Sequence, residues 1–356
     1  MSNGQASAPT SGYQPEQLVT QVTAADGNVP QISLGDPELS EAVSKGLAQV
    51  EQLLQDELSR GEDFVIDKVL HLTEAGGKRF RPMFALIASQ YGVRPGSDDV
   101  IQAATVVEMT HLATLYHDDV MDEADKRRGV DSANARWNNS VAILAGDILL
   151  ANISRIMANL GVETVAHFAE TFHDLVTGQM RETVGARGGD EIEHYMAVIR
   201  EKTGVLIASA GYLGALHSGA PDEIRDALYR YGYDIGMVFQ IVDDIIDIFS
   251  DYTQSGKNPG TDLREGVFTL PVLYALAEQT SVGEQLRAKL TGPIGEDDAL
   301  LTEVLALLEQ STGRERALAD VHALLNNAEE QLALLPAGPA TEALATLARM
   351  TVARVG

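Results

Sequence analysis

Apolar residues recur every three or four positions over most of the chain from Asp36 onward, which is the spacing of one face of an α-helix. Between residues 39 and 58, for example, Val43, Leu47, Val50 and Leu54 follow this pattern. No run of alternating apolar and polar residues indicates a strand, so the pattern predicts an all-α protein, a single large helical bundle. The other predicted helices cover residues 81–91, 98–118, 135–160, 163–184, 191–219, 222–248, 270–278 and 300–308, with two more beyond residue 313.

Residues 1–34 are rich in Ser, Gly, Gln, Pro and Ala and lack helical spacing. This composition predicts a disordered N-terminal tail, because such a segment cannot bury enough apolar surface to fold. Residues 35–356 then form one domain.

Two acidic clusters of the form D-D-x-x-D lie within apolar helical runs: Asp118, Asp119 and Asp122, and Asp243, Asp244 and Asp247. On a helix, the first and last aspartates of each cluster project from one face, where like charges destabilise the helix unless a counter-charge is present. Carboxylate oxygens suit a hard cation such as Mg²⁺, which shares its shell with substrate phosphates. The pair of clusters predicts a metal and diphosphate site, although either cluster alone could be a solvated acidic face.

The composition narrows the possible partners. With 26 basic and 52 acidic residues the net charge is −26, which excludes nucleic acid as a general partner. The absence of cysteine excludes disulfides, thiolate catalysis and Cys-ligated metals. We see no leader peptide and no uninterrupted apolar run of about 18 residues, so we expect a cytoplasmic protein; peripheral membrane contact stays open.

Basic residues lie near the acidic clusters. The segment Gly76–Pro82 places three cations on a glycine turn that opens a helix, an arrangement that can bind phosphate but also occurs as a solvated turn. Arg127 and Arg128 follow the first cluster, Lys202 and Thr203 lie in the middle of the chain, and Lys257 follows the second cluster.

In their order along the chain these segments resemble the trans-isoprenyl diphosphate synthases, also called polyprenyl synthetases. The matching segments are 76–82, 111–128, 202–203, 239–247 and 256–271, and the resemblance covers roughly residues 39–350. It implies an all-helical fold with a central cavity, a homodimer, and Mg²⁺-assisted head-to-tail condensation of an allylic diphosphate with isopentenyl diphosphate.

The resemblance also implies a role for each matching residue. Asp118, Asp122 and Asp243 resemble the main ligands of Mg²⁺, expected as three ions with bound diphosphate, and Asp119, Asp244 and Asp247 resemble supporting carboxylates. The allylic diphosphate would be held by Arg127, Lys202 and Lys257. Isopentenyl diphosphate would be held by Lys78, Arg81, His111 and Arg128. Thr203 and Gln240 resemble the polar pair near the reacting allyl group. Many family members carry a further lysine after residue 260, where this chain has Leu263 and Arg264.

Product length is expected to depend on the residues one helical turn before Asp118. Ala113 and Thr114 are small, whereas short-chain relatives carry a bulky aromatic residue at this level. Because no bulky side chain would close the substrate cavity at this level, we expect a long product of about C30–C50. The segments 111–119 and 262–266 look most like the long-chain branch that makes respiratory-quinone (menaquinone) side chains, as in actinobacteria.

Four alternatives remain open. A short-chain farnesyl or geranylgeranyl diphosphate synthase would keep the same chemistry. A class I terpene cyclase would not need the residues assigned to isopentenyl diphosphate. A non-catalytic subunit of a heteromeric synthase typically lacks one aspartate cluster, and an acidic helical interaction protein would not respond to diphosphate and metal.

Overall fold

The structure, a computed structural model, describes residues 33–250 and 259–355. Its helices are α1 (Pro37–Leu58), α2 (Asp63–Glu74), α3 (Phe80–Ala88), α4 (Asp98–Met121), α5 (Ala133–Arg136), α6 (Asn139–Leu160), α7 (Val162–Val184), α8 (Glu191–Ile199), α9 (Val205–Ser218), α10 (Asp222–Phe249), α11 (Thr261–Glu265), α12 (Leu270–Leu276), α13 (Ser281–Lys289), α14 (Asp298–Leu308), α15 (Gly313–Leu332) and α16 (Pro339–Val352). A 3₁₀ turn (Ser89–Tyr91) follows α3, a π-helical turn (Arg200–Gly204) joins α8 to α9, and strands β1 (Lys126–Arg127) and β2 (Val130–Asp131) form a hairpin.

The all-α prediction is confirmed, and the differences are local. Helices α2, α11 and α13 and the hairpin of two-residue strands were not predicted, and the helix predicted over 191–219 is interrupted by the π turn. Leu34 is buried against the core, and α1 begins three residues later. The rest of the predicted disordered tail lies outside the described residues, so that assignment stays a prediction.

Helix α4 lies at the centre of the bundle. The buried residues of α4 lie on most sides of the helix and do not form a single stripe. This is the pattern of a helix enclosed by other helices. Helix α4 packs against α1, α3, α6 and α9, while α10 packs against the other side of α9 and against α15. The two aspartate clusters, one near the end of α4 and one near the end of α10, therefore lie on helices that share α9 as a neighbour.

Glycines allow α9 to approach its neighbours closely. A Cβ atom on Gly214 would lie 2.1 Å from the carbonyl oxygen of Ala85 on α3, and one on Gly232 of α10 would lie 2.5 Å from the Cα atom of Ala208. Larger residues would separate these helices, and with them the two clusters.

Helix α6 is long and apolar enough in composition to cross a membrane, although Asp147 and Arg155 interrupt its apolar run. Within the fold it packs along α4, and 39% of its most apolar window is buried. Helices of soluble cores have the same properties.

Candidate active site

The first aspartate cluster lies at the C-terminal end of α4, where the helix dipole disfavours negative charge. Burial raises the pKa of Asp118 to about 6, and the charge of Asp122 adds to this effect while Lys202 opposes it. The carboxylates of this cluster therefore carry negative charge that the protein alone compensates only in part.

Asp119 is fully buried, with a side-chain exposure of 0%. Its Oδ1 atom accepts a hydrogen bond from Nε of Arg127 at 2.6 Å, whereas its Oδ2 atom is buried without a protein partner. Arg127 reaches it from the hairpin, in which Arg128 and Gly129 have φ angles of 52° and 81°. Positive φ at both central residues is the type I′ turn of tight hairpins.

The second cluster is held by protein groups. Asp244 is buried and accepts hydrogen bonds from the hydroxyl of Tyr195 and from Nε2 of Gln240, the latter at 3.0 Å. Burial raises the pKa of Asp244 to about 7 in spite of these two donors. Oδ1 of Asp243 pairs with Nη1 of Arg354 at 2.9 Å, and Asp247 accepts from two backbone amides of α11.

The π turn carries Lys202 and Thr203, and such bulges are frequent at functional sites. The hydroxyl of Thr203 donates to Oε1 of Gln240 at 3.2 Å, which links the turn to the second cluster through Asp244. Lys202 pairs with Glu182 on α7. The turn lies directly against Gly178 of α7, where a Cβ atom would be 2.7 Å from Cβ of Glu201.

The donor set fits a hard divalent cation. The clusters offer oxygen ligands alone, and the unpartnered Oδ2 of Asp119 and the raised pKa of Asp118 mark uncompensated charge. Within the described residues, no three His, Asp or Glu side chains already converge as a closed metal cage. This openness suits an ion that takes its remaining ligands from water and substrate phosphates.

A second, cationic group lies between the glycine turn, α4 and the hairpin. The Nε atom of Arg81 is buried without a protein partner, and burial lowers the pKa of Arg81. The pKa of His111 lies well below its usual range because of burial and the neighbouring charges of Arg81 and Arg128, so the imidazole is neutral. Arg128 donates to the carbonyl oxygens of Leu72 and Gly76, and Lys78 is exposed at the rim.

Three residues with contacts at these sites had no predicted role. Tyr195 and Arg354 contact the second cluster, and Arg79, at φ 50°, pairs with two glutamates beside the cationic group. The three lie between 28 and 111 positions from their partners. Such contacts leave no signal in a local pattern.

A cavity of about 560 Å³ runs from the first cluster between α4, α6 and α7. Asp118 and Lys202 lie at one end, and Thr114 and Phe172 contribute to its wall. Ala113, in contrast, is buried with α6 residues in the core and does not line the cavity. Phe172 stacks on Phe168 with ring centroids 5.8 Å apart.

The structure thus brings most of the predicted residues that it describes to two adjoining sites. Asp118, Asp119, Asp122, Lys202 and Arg127 form one group around the end of α4, with Asp243, Asp244, Asp247, Thr203 and Gln240 linked to it through the π turn. Arg81, His111 and Arg128 form the other, whereas the side chain of Lys78 is exposed and Ala113 is buried in the core. Lys257 lies outside the described residues. The individual roles stay predictions.

Comparison with known proteins identifies close relatives. The family profile for polyprenyl synthetase matches residues 63–308. The nonaprenyl diphosphate synthase of Mycobacterium tuberculosis is 53% identical, over 92% of this chain and 98% of that protein. The crystal structure of geranylgeranyl pyrophosphate synthase from Corynebacterium glutamicum, complexed with calcium and isoprenyl diphosphate, is 64% identical with a TM-score of 0.85, over 91% of this chain and 100% of that chain. A decaprenyl diphosphate synthase from Rhodobacter capsulatus is 33% identical with a TM-score of 0.81, over 90% of this chain and 99% of that chain.

Proposed function

Because the chain belongs to the polyprenyl synthetase family and is a trans-prenyltransferase, we propose that it condenses an allylic diphosphate with successive isopentenyl diphosphate units to a long all-trans polyprenyl diphosphate. The observation that carries this proposal is the pairing of an open carboxylate site with a separate buried cationic site. Two anionic substrates need two binding sites, and one of these sites must also stabilise the negative charge of the diphosphate that leaves.

The carboxylate site would hold the allylic diphosphate. We propose that Asp118, Asp119, Asp122, Asp243, Asp244 and Asp247 bind Mg²⁺, as three ions when diphosphate is present. Bound Mg²⁺ would supply charge compensation for the diphosphate leaving group. Lys202 lies near Asp118, and Arg127 donates to Asp119. When the diphosphate binds, these two cations would turn part of their interaction from the carboxylates to the phosphate oxygens.

The cationic site would hold isopentenyl diphosphate. Arg81 has an unused buried donor, and burial disfavours its charge, so an anionic ligand would relieve both costs. Neutral His111 can donate a hydrogen bond without adding charge. This site consists of protein cations and would bind its diphosphate without metal.

Carbon–oxygen bond cleavage would leave an allyl cation near Asp118 and Lys202, and we propose that Thr203, which follows Lys202 on the π turn, and its partner Gln240 lie near that cation. The cavity wall is apolar beyond Asp118, with Leu175, Val176 and Met180 on α7. Leu175 is buried, whereas Val176 and Met180 are exposed, so this part of the wall would exclude water once a second copy or the growing chain covers it; water would otherwise trap the cation as an alcohol.

The length of the product depends on where this cavity ends. Thr114 leaves the level one turn below Asp118 open. Along α7 the lining runs from Val184 to Phe172, 12 residues or about 18 Å. The lining residues Ile143, Val176 and Met180 are 43%, 47% and 64% exposed, and a longer chain would leave the cavity past them. This apolar opening supports a long product.

A geranylgeranyl-length product is the second candidate, and Phe172 is the observation that favours it. Its ring, stacked on Phe168, lies at the end of the α7 lining and could stop a chain there. The 64% identical relative from Corynebacterium glutamicum is a geranylgeranyl pyrophosphate synthase.

We also propose a homodimer in the cytoplasm. Exposed apolar side chains on α6 and α7, among them Ile143, Leu144, Val165 and Val176, form a surface that a second copy could bury. The same surface borders the cavity opening, so a second copy would complete the wall along which a long product extends. Peripheral membrane contact for release of a long product is part of this proposal.

The deciding experiment is a product assay. Purified protein is incubated with Mg²⁺, labelled isopentenyl diphosphate and either farnesyl or geranylgeranyl diphosphate, and the dephosphorylated alcohols are sized by chromatography. Products several isoprene units longer than the primer are expected. Products that stop at geranylgeranyl length would establish the second candidate, and no incorporation with either primer would contradict the proposed function.

A further inference from the structure

The cationic site contains more buried positive charge than a folded protein ordinarily carries in the absence of a ligand. Arg79, Arg81 and Arg128 meet there, and a Cβ atom on Gly77 would lie 2.8 Å from Nη1 of Arg79 and 3.2 Å from the guanidinium carbon of Arg128. Two guanidinium groups therefore pack against the same glycine. Buried like charges repel strongly, so the empty site requires a counter-charge.

Two carboxylates provide it through Arg79. Nη1 of Arg79 donates to Oε1 of Glu108 at 3.0 Å, and its Nε and Nη2 atoms donate to the two oxygens of Glu51. The side chains of Arg79 and Glu108 are 1% and 3% exposed, so this pair is screened very little by solvent. Three of the five N–H donors of Arg79 are used by these two carboxylates and its side chain is 1% exposed, so Arg79 holds the carboxylates in place instead of binding substrate.

The influence of Glu108 extends beyond its partner. Burial lowers the pKa values of Arg81 and Arg128, and in both cases the charge of Glu108 is the largest opposing effect. Glu108 also lies on α4 one turn before His111. The same helix therefore carries both the negative counter-charge and a residue proposed to bind the diphosphate.

Resting on the proposed function, in which this site takes isopentenyl diphosphate, we propose that Glu108 is a positioning residue. Held in place by Arg79, whose other side-chain nitrogens bind Glu51, it is the internal counter-charge that keeps Arg81 and Arg128 in place before substrate binds. The same carboxylate weakens the attraction for the incoming diphosphate, and so it sets the affinity for the second substrate and allows product turnover.

The test is Glu108→Gln, which removes the charge and keeps an oxygen that can accept from Arg79. Binding of inorganic pyrophosphate and of isopentenyl diphosphate is measured by calorimetry in EDTA, because the site needs no metal. We expect the variant to melt at lower temperature when empty and to bind both ligands roughly three- to tenfold more tightly, since one nearby negative charge is lost. In the Mg²⁺ assay, KM for isopentenyl diphosphate falls by a similar factor while KM for the allylic primer stays the same.

Glu57→Gln is the matched control. Glu57 is also a buried glutamate on α1 paired with two arginines, Arg60 and Arg155, but these face α6 and not the cationic site. It should lower the melting temperature without changing ligand affinity. If Glu108→Gln behaves like this control, or binds pyrophosphate more weakly, the counter-charge role is refuted.

Two further outcomes keep the test decisive. If Glu108→Gln does not fold, Glu51→Gln replaces it, and unchanged affinity for pyrophosphate in that variant also refutes the proposal. If the unaltered protein binds neither pyrophosphate nor isopentenyl diphosphate in EDTA, the assignment of this site is refuted and the role of Glu108 with it, whereas the proposed function is refuted only by the absence of incorporation in the product assay.

Discussion

Replacing the buried carboxylate of Asp244 by an amide should stabilise the metal-free protein at alkaline pH. Asp244 lies in the second cluster and its pKa is raised from 3.8 to about 7 by burial. A carboxyl group whose pKa is higher in the folded than in the unfolded state binds more protons when folded. Its contribution to stability is present below pH 3.8 and is lost as the pH rises through 7.

The size of the effect follows from this shift. About three pKa units at 1.36 kcal/mol each correspond to roughly 4 kcal/mol between acid and alkaline pH. Asp244→Asn removes the ionisation; its Oδ1 atom can still accept from Nε2 of Gln240, and its Nδ2 group can donate to the hydroxyl of Tyr195 once that hydroxyl turns to accept. We therefore expect a gain in the free energy of unfolding of about 4 kcal/mol at pH 8.5 and of only about 1.5 kcal/mol at pH 5, where the carboxyl is ionised in the unfolded chain but still protonated in the fold.

The assay is denaturation in EDTA at the two pH values, with turnover measured separately. Asp243→Asn is the control, because its carboxylate is exposed and paired with Arg354, so no stabilisation is expected from that change. An equal effect of Asp244→Asn at pH 5 and pH 8.5 would show that burial does not disfavour the charge at this position. Turnover by Asp244→Asn should fall, since the charge that costs stability is the charge proposed to bind metal.

Three further predictions concern catalysis and product length. Asp118→Ala should abolish turnover with little change in the circular dichroism spectrum, and near-normal activity would contradict the metal assignment. Thr114→Phe should shorten the products and Phe172→Ala should lengthen them, as sized by chromatography; unchanged distributions in both would rule out control of length by this cavity. Gly178→Ala should lower kcat at least about tenfold with an unchanged fold, because a Cβ atom there would displace the π turn; normal kcat would mean that the turn tolerates the shift.

The sequence predicted the helices well because most of them bury one continuous face. Helix α1 and helix α7 differ from their predicted bounds by one or two residues. The interruption at 200–204 was missed because a π turn adds a single residue to a helical pattern and leaves the apolar spacing almost intact. The hairpin was missed because two-residue strands have no measurable alternation.

The site residues that cluster within a short stretch of sequence were predictable. Their partners of opposite charge or hydrogen-bonding partners, which are distant in the sequence, were not. The aspartate clusters and the basic segment were visible as motifs. The partners Tyr195, Arg354 and Glu108 were not, because Tyr195 and Glu108 are ordinary helical residues and Arg354 lies in the turn after α16, and only the fold brings Tyr195, Glu108 and Arg354 to Asp244, Arg79 and Asp243, respectively. Ala113 shows the limit of helical projection: it shares a turn with Thr114, yet it packs into the core beside α6.

The hairpin turn has a consequence for the precision of the reaction. Its two arginines are sequence neighbours, yet Arg127 bonds Asp119 at the carboxylate site and Arg128 bonds Leu72 at the cationic site. Their Cα atoms are separated by one peptide unit, about 3.8 Å, a length that thermal motion hardly changes. In the proposed assignment one peptide unit thus joins an arginine of the allylic diphosphate site to an arginine of the isopentenyl diphosphate site, so that a displacement of the hairpin would move groups of both sites together.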